Sequence, residues 1–312
     1  MFDTVRHMAS EIRSMKVRGA GRIARAGAAA MGKFAENYRG RSLEDFRKDL
    51  GTAADILLES RPTAVSLRNG VQTCVKDVCG ASSLDEAKNS VVQNARLFAE
   101  SSSKAAEFIA KIGARQVCSG DVLLTHCNSA AALGVIKEAN AQGKNIRVYA
   151  TESRPWRQGL LTVRELSEAG VDVTLIVDSA VRSVMKKTDR VFVGADTVVS
   201  NGDLVNKIGT SQLALAADEA GVPFNVCAET YKFSPMTVFG DTVAIEERDC
   251  GEIADKELLP EGVKVYNPVF DTTPAKYIDA IITELGIISP GSVYDVMMRQ
   301  IGDGIFGMRD RL

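Results

Sequence analysis

Histidine is nearly absent: His7 and His126 are the only two in 312 residues. Acid–base chemistry in this chain must therefore rest on carboxylates, thiols or lysines. An excess of one charge is also missing, since 38 Lys and Arg stand against 40 Asp and Glu, a formal net charge of -2. No global field draws the chain to nucleic acid or to an anionic membrane, and neither is expected as a partner. A phosphorylated ligand would have to be held by local Arg and Lys groups. No apolar run approaches the ~20 residues of a membrane span. Met1 to Met15 lacks the apolar stretch of a secretory signal, so the expected location is the cytoplasm. The six cysteines, at 74, 79, 118, 127, 227 and 250, have the spacing of neither a disulfide framework nor a paired zinc motif. No metal is expected. No G-x-G-x-x-G follows a strand-like run, which argues against a nicotinamide enzyme, and no cofactor is expected.

What is present reads in two parts. Val5 to Met15 and Gly21 to Tyr38 are rich in Ala, Met, Arg and Lys and predict helices. Ser42-Leu43-Glu44-Asp45 and Ser83-Leu84-Asp85-Glu86 have the form of capping boxes that open two more, the second running to about Gly113. Between them Pro62 stands where a further helix could begin. No strand is expected before residue 117. Beyond it, DVLLT at 121–125, IRVYA at 146–150, VDVTLIV at 171–177, RVFV at 190–193 and VPFNVCA at 222–228 are short apolar, β-branched runs, with a last strand at 278–282. Helical stretches at 130–141, 162–169, 180–187 and 211–220 separate them, the second opened by a capping box at Thr162. Apolar strands alternating with helices imply a parallel sheet covered on both faces. The expected fold class is α/β: a helical N-terminal domain, 1–115, followed by a doubly wound, mainly parallel Rossmann-like domain, 116–312.

Ligands of an open parallel sheet bind beyond the carboxyl ends of the strands. The residues there are His126-Cys127-Asn128-Ser129, Glu152-Ser153-Arg154-Pro155, Asp178-Ser179, Gly194-Ala195-Asp196 and Glu229-Thr230-Tyr231-Lys232. Cys127 falls at a strand-to-helix junction, where a helix N-terminus lowers a thiol pKa. The other five cysteines read as core or surface thiols. Asp196 reads equally as a helix cap, a structural acceptor or a proton donor. Arg18-Gly19-Ala20-Gly21 opens a helix with small residues that allow a phosphate close to backbone N–H groups. Arg61, Arg154, Lys207 and Lys232 add cations beside Pro, Gly or helix starts, and together they suggest a phosphate site.

THCNS at 125–129, TESRPWRQG at 151–159, GAD at 194–196, NGDLVNKIGT at 201–210 and AETYKF at 228–233 together resemble one superfamily, from about Met15 to Pro290. It includes archaeal ribose-1,5-bisphosphate isomerases, methylthioribose-1-phosphate isomerases, and regulatory subunits of the eukaryotic initiation-factor nucleotide-exchange complex. The subunits of that complex lack the cysteine and aspartate of the first and third motifs, whereas this chain keeps Cys127 and Asp196. The resemblance therefore favours an enzyme. RGAGRIA at 18–24 and the Lys of AETYKF point to the bisphosphate, because a second phosphate needs cations that a methylthio group does not. Asn128 and Ala130 stand where bisphosphate isomerases often carry His and Lys, which keeps methylthioribose 1-phosphate as the alternative substrate. A catalytically silent translation-factor-like scaffold is the alternative of another class.

The resemblance implies that Cys127, as thiolate, removes the C2 proton while Asp196, kept protonated by partial burial, donates to the ring oxygen. Substrate holding falls to Arg18, Gly19, Ala20, Gly21, Arg61, Ser129, Asn206, Lys207 and Lys232. It also implies homo-oligomers built from dimers, up to hexamers. An AMP effector would suit a nucleotide-salvage route feeding Rubisco.

Overall fold

Small residues dominate the buried face of the first long helix, and they set the tone of the N-terminal unit. The computed structural model describes residues 2–240 and 242–301. The chain divides into two compact units, Met1–Ala105 and Ala106–Leu312. The first holds α1 (Asp3–Arg13), α2 (Ala20–Glu36), α3 (Leu43–Leu58), α4 (Val65–Val75) and most of α5 (Leu84–Ala114), with the unit boundary falling inside α5. Ala24, Gly27, Ala28 and Ala35 line the buried side of α2. Phe34, Phe46, Ile12, Met31 and Leu67 are fully buried, each contributing roughly 1.5–3 kcal/mol of transfer free energy.

In two of the three sequence-predicted capping boxes the serine caps its helix, while among the described residues the reciprocal bond from the serine N–H to the N3 carboxylate does not form. Ser42 Oγ accepts the Asp45 N–H at 3.0 Å, and Ser83 Oγ accepts that of Glu86 at 3.2 Å. The helix expected at Pro62 begins instead at Val65, after a turn.

The second unit continues with β1 (Val122–Thr125), α6 (Ala130–Ala141), β2 (Arg147–Thr151), α7 (Gly159–Glu168), β3 (Asp172–Ile176), α8 (Val181–Met185), β4 (Arg190–Val193), β5 (Thr197–Val198), β6 (Leu204–Lys207), α9 (Thr210–Ala220), β7 (Phe224–Cys227), β8 (Phe270–Thr273), β9 (Ala280–Thr283), β10 (Gly286–Ile288) and α10 (Val293–Ile301). Seven strands form one sheet in the order β10-β9-β7-β4-β1-β2-β3. All neighbours are parallel except β10 against β9.

Burial on both faces explains the unbroken apolar runs. Leu124, Val191, Val193 and Phe224 pack on one side with Leu213 and Ala214 of α9. Leu123, Phe192 and Cys227 pack on the other with Leu133 and Ile136 of α6. The α/β class and the helical N-terminal part are as the sequence predicts.

Two features differ from expectation. β5, β6 and β8 form a separate antiparallel sheet, unexpected from the sequence because polar Asn206 and Lys207 within β6 mask its strand pattern. The helix expected from Thr162 starts at Gly159, which leaves Thr162 inside α7.

Candidate active site

The chain runs outward from β1 through β2 to β3, then returns to the other side of β1 as β4. The crevice beyond the carboxyl ends of β1 and β4 is therefore the topological switch point, the default ligand site of an open α/β sheet. Cys127 follows β1 and Asp196 follows β4. The two loops touch: a Cβ added at Gly194 would collide with the Oγ and Cβ of Ser129. Ser129 caps α6, its Oγ accepting the Ala132 N–H at 3.4 Å.

Cys127 holds a left-handed backbone at φ 65°, a conformation that costs a non-glycine residue roughly 1–3 kcal/mol. Polar partners clamp it on both sides. Its N–H donates to Ser153 Oγ at 2.8 Å, and its carbonyl accepts from Thr162 Oγ1 at 2.6 Å. Burial is the largest influence on the thiol and pushes its pKa up to about 11, with Asp196 and Asp178 adding to the rise. Lys207 and the Asn128 N–H pull the other way without overcoming it. The depressed thiol expected at a helix N-terminus is thus not found. The N-cap is Ser129, two residues on, and desolvation outweighs the helix.

Asp196 leads directly into β5, so it caps no helix. Its N–H donates to the Val205 carbonyl at 3.1 Å. Among the described residues no group hydrogen-bonds its half-buried carboxyl. Cys127 and Lys232 both feel its charge, which brings Cys127, Asp196, Lys207 and Lys232 into one electrostatic neighbourhood.

Lys207 is buried, with its ammonium 5.3 Å from the centre of the Phe270 ring. Asn206 Nδ2 donates to Thr210 Oγ1 at 3.0 Å. The N-terminus of α9 is occupied by a carboxylate: Asp271 accepts from the N–H groups of Gly209 at 2.8 Å and Ser211 at 3.1 Å. Burial raises the Asp271 pKa to about 6 against those bonds. Any phosphate here would meet the side chains of Asn206 and Lys207 rather than those two N–H groups.

Lys232 is buried in an ion pair with Glu229, 2.6 Å apart. Burial would lower the Lys232 pKa, but Glu229 more than reverses it. Burial likewise pushes Glu229 up, and Lys232 brings it below the ordinary carboxylate value. Lys232 is expected to hold phosphate; its charge is also met by an internal partner three residues away.

The other sequence-predicted residues lie in the first unit. Gly19, at φ 90°, is the N-cap of α2, with Arg18 before it and Ala20 and Gly21 in the first turn. Arg61 follows α3, its N–H bonded to the Leu58 carbonyl. Six predicted residues (Cys127, Ser129, Asp196, Asn206, Lys207 and Lys232) belong to the second unit, the remaining five to the first.

The strand-end residues named from the sequence include supporting groups to which the sequence assigns no role. Asp178 accepts the N–H groups of Ser153 and Arg154 at 2.8 and 2.7 Å. His126 contacts Thr151 and Ile208. Among the described residues no group of three or more His, Cys, Asp or Glu side chains could hold a metal ion, and no helix is long and apolar enough to cross a membrane.

Fold and site together define an α/β protein that sets one thiol and one carboxyl at a switch point beside buried lysines. The chain belongs to the Initiation factor 2 subunit family, which it matches over residues 16–290. It is 52% identical over 301 residues to ribose 1,5-bisphosphate isomerase of Archaeoglobus fulgidus, covering 96% of this chain and 95% of the relative. Among solved structures it is similar to translation initiation factor eIF-2B of Pyrococcus horikoshii OT3, at TM-score 0.80 and 32% identity over 92% of this chain and 98% of the other. It is also similar to 5-methylthioribose 1-phosphate isomerase of the same organism, at TM-score 0.75 and 32% identity over 97% of this chain and 88% of the other. The superfamily expected from the motifs is the one found.

Proposed function

We propose that this chain is a sugar-phosphate isomerase that converts ribose 1,5-bisphosphate to ribulose 1,5-bisphosphate. The observation that carries this is the placement of Cys127 and Asp196 after β1 and β4, in a chain 52% identical to a ribose 1,5-bisphosphate isomerase. Methylthioribose 1-phosphate is the second candidate substrate, supported by the likeness to its isomerase at 32% identity.

The C1 phosphate ester blocks opening to a free aldehyde, so the ring must open with loss of the C2 proton. Asp196 donates its proton to the ring oxygen as the C1–O bond breaks. Cys127 thiolate takes the C2 proton, and the electron pair left behind forms the C1–C2 double bond of an enol phosphate. The proton on sulfur then goes to C1, and the enol O–H proton returns to Asp196 as the C2 carbonyl forms. Both residues end as they began. Since burial holds the resting thiol protonated, its proton must pass to the Asp196 carboxylate as substrate is seated, which leaves the thiolate base and the protonated acid together, and Lys207 is the cation that favours the thiolate.

Phosphate contacts are assigned to Ser129, Asn206, Lys207 and Lys232, and to Arg18, Gly19, Ala20, Gly21 and Arg61. A homo-oligomer of dimers in the cytoplasm, with AMP as effector in nucleotide salvage, belongs to the same proposal. The direct test offers purified protein ribose 1,5-bisphosphate and methylthioribose 1-phosphate separately and follows ketose formation. Turnover of the bisphosphate alone is expected. Turnover of the methylthio sugar alone would reassign the substrate.

A further inference from the structure

Behind Cys127 lies a chain of buried polar groups whose proton directions can be assigned. The Ile208 carbonyl can only accept, so His126 Nε2, 2.8 Å away, carries the ring proton. Burial lowers the His126 pKa despite that bond, and the ring is neutral. Nδ1 is then an acceptor, and Thr151 Oγ1 at 2.6 Å donates to it. With its proton so committed, Thr151 Oγ1 accepts from Ser153 Oγ at 3.2 Å. Ser153 Oγ in turn accepts the Cys127 N–H. Thr151 and Ser153 are 0% exposed and His126 is 1% exposed, so water does not compete for these bonds. The chain of donors is continuous from the Cys127 amide through Ser153, Thr151 and His126 to the carbonyl of Ile208, the residue after Lys207.

We infer that Thr151 is a positioning residue for the isomerisation, its hydroxyl joining the Cys127 backbone to the Lys207–Ile208 segment so that thiol and ammonium keep one geometry. This rests on the assignment of Cys127 as the base. Two observations set Thr151 apart from an ordinary buried hydroxyl. The chain of bonds ends on Cys127 and on Ile208, the neighbour of Lys207, and Cys127 and Lys207 are charged or become charged in the reaction. The loop it braces is also strained, since Cys127 and Ser153 both have positive φ, 65° and 60°, and neither is a glycine. Strain of this kind persists only where surrounding bonds over-determine it. Removing the Thr151 hydroxyl takes from His126 Nδ1 its 2.6 Å donor and leaves Ser153 Oγ only 3.5 Å contacts, to His126 Nδ1 and the Thr151 carbonyl, so the bracing weakens in a dry interior and the loop can relax.

The test compares Thr151→Val, which keeps the volume and the strand preference, with Thr151→Ser, which keeps the hydroxyl. Each is read by kcat and KM on ribose 1,5-bisphosphate, by thermal unfolding, and by the pH profile of Cys127 alkylation with iodoacetamide, followed by mass spectrometry. The groups facing the thiol are Lys207, Asp196, Asp178 and the Asn128 N–H. Thr151→Val is expected to lower kcat by about tenfold or more with little change in KM. Its alkylation midpoint should move down from about 11 toward the ordinary thiol value of ~8.5 as water reaches the loop. Thr151→Ser should match the parent in both. If Thr151→Val is not folded, Ser153→Ala, which deletes the next hydroxyl of the chain, is read in its place. Parent-like kcat and alkylation in the valine variant, or an equal loss in the serine variant, would overturn the inference. If the parent itself does not turn over the bisphosphate, the assigned function fails, while the alkylation contrast between valine and serine still decides the role of Thr151.

Discussion

Lys232 Nζ and Glu229 Oε2 lie 2.6 Å apart, with side chains only 7% and 5% exposed. Breaking such a pair from one side strands the other charge in the interior, at a cost of about 3–5 kcal/mol. Lys232→Met alone is therefore expected to destabilise the protein by that order, and any rise in its KM would be confounded by the orphaned carboxylate. The double variant Glu229→Gln/Lys232→Met should recover much of the stability in urea unfolding. A bisphosphate KM that stays high in the double variant assigns Lys232 to phosphate. A return to the parent KM leaves it a structural partner of Glu229.

The thiol of Cys127, pushed up to about 11 chiefly by burial, sets the sign of a pH effect. The base form grows as pH rises, so the rate of Cys127 alkylation should climb about tenfold per pH unit below that value. Lys207→Met removes the cation that opposes the rise and should shift Cys127 alkylation to still higher pH. Alkylation that moves to lower pH in this variant would contradict the assigned role of Lys207.

Asp271 makes a different pH prediction. Its folded value of about 6 lies above the unfolded ~3.9. Its contribution to stability is therefore fully present below ~3.9 and lost as pH rises through about 6. Asp271→Asn should remove that slope in urea unfolding between about pH 4 and 7. Parallel slopes in parent and variant would show that the carboxyl is not perturbed as described.

Gly194 must stay small because Ser129 packs against it. Gly194→Ala is expected to cost about 1–3 kcal/mol of stability through overpacking and to move the Asp196 loop away from the cap of α6. Ser129→Gly in the same chain removes the colliding atoms and should restore part of the lost stability. Unchanged stability in Gly194→Ala alone would mean that the two loops are free to separate.

Much of this was legible in the sequence, and the misses share a cause. The central parallel strands announced themselves because burial on both faces favours apolar residues, as in Leu123-Leu124 and Val191-Phe192-Val193. β6 hid because Asn206 and Lys207 are polar yet buried, held by Thr210 and by the face of Phe270. Thr162 has the local pattern of a cap, but its hydroxyl is taken by the Cys127 carbonyl 35 residues away, a contact that no local pattern encodes. Cys127 and Asp196 could be picked out because strand ends carry ligands in this fold. The raised thiol could not, because burial is a property of the packed loop rather than of the residues beside Cys127. Glu229 was readable as the partner of Lys232 from opposite charges three residues apart, had the lysine not been reserved for phosphate.

The central claim is that Cys127 and Asp196 perform the proton transfers, and one comparison tests it most directly. Ketose formation from ribose 1,5-bisphosphate is measured for the parent, Cys127→Ser and Asp196→Asn, with circular dichroism to verify the fold. The account predicts losses of about 10²–10⁴-fold for each variant with the fold intact. Near-parent turnover in either folded variant would contradict it and send the search for the base or the acid to other residues.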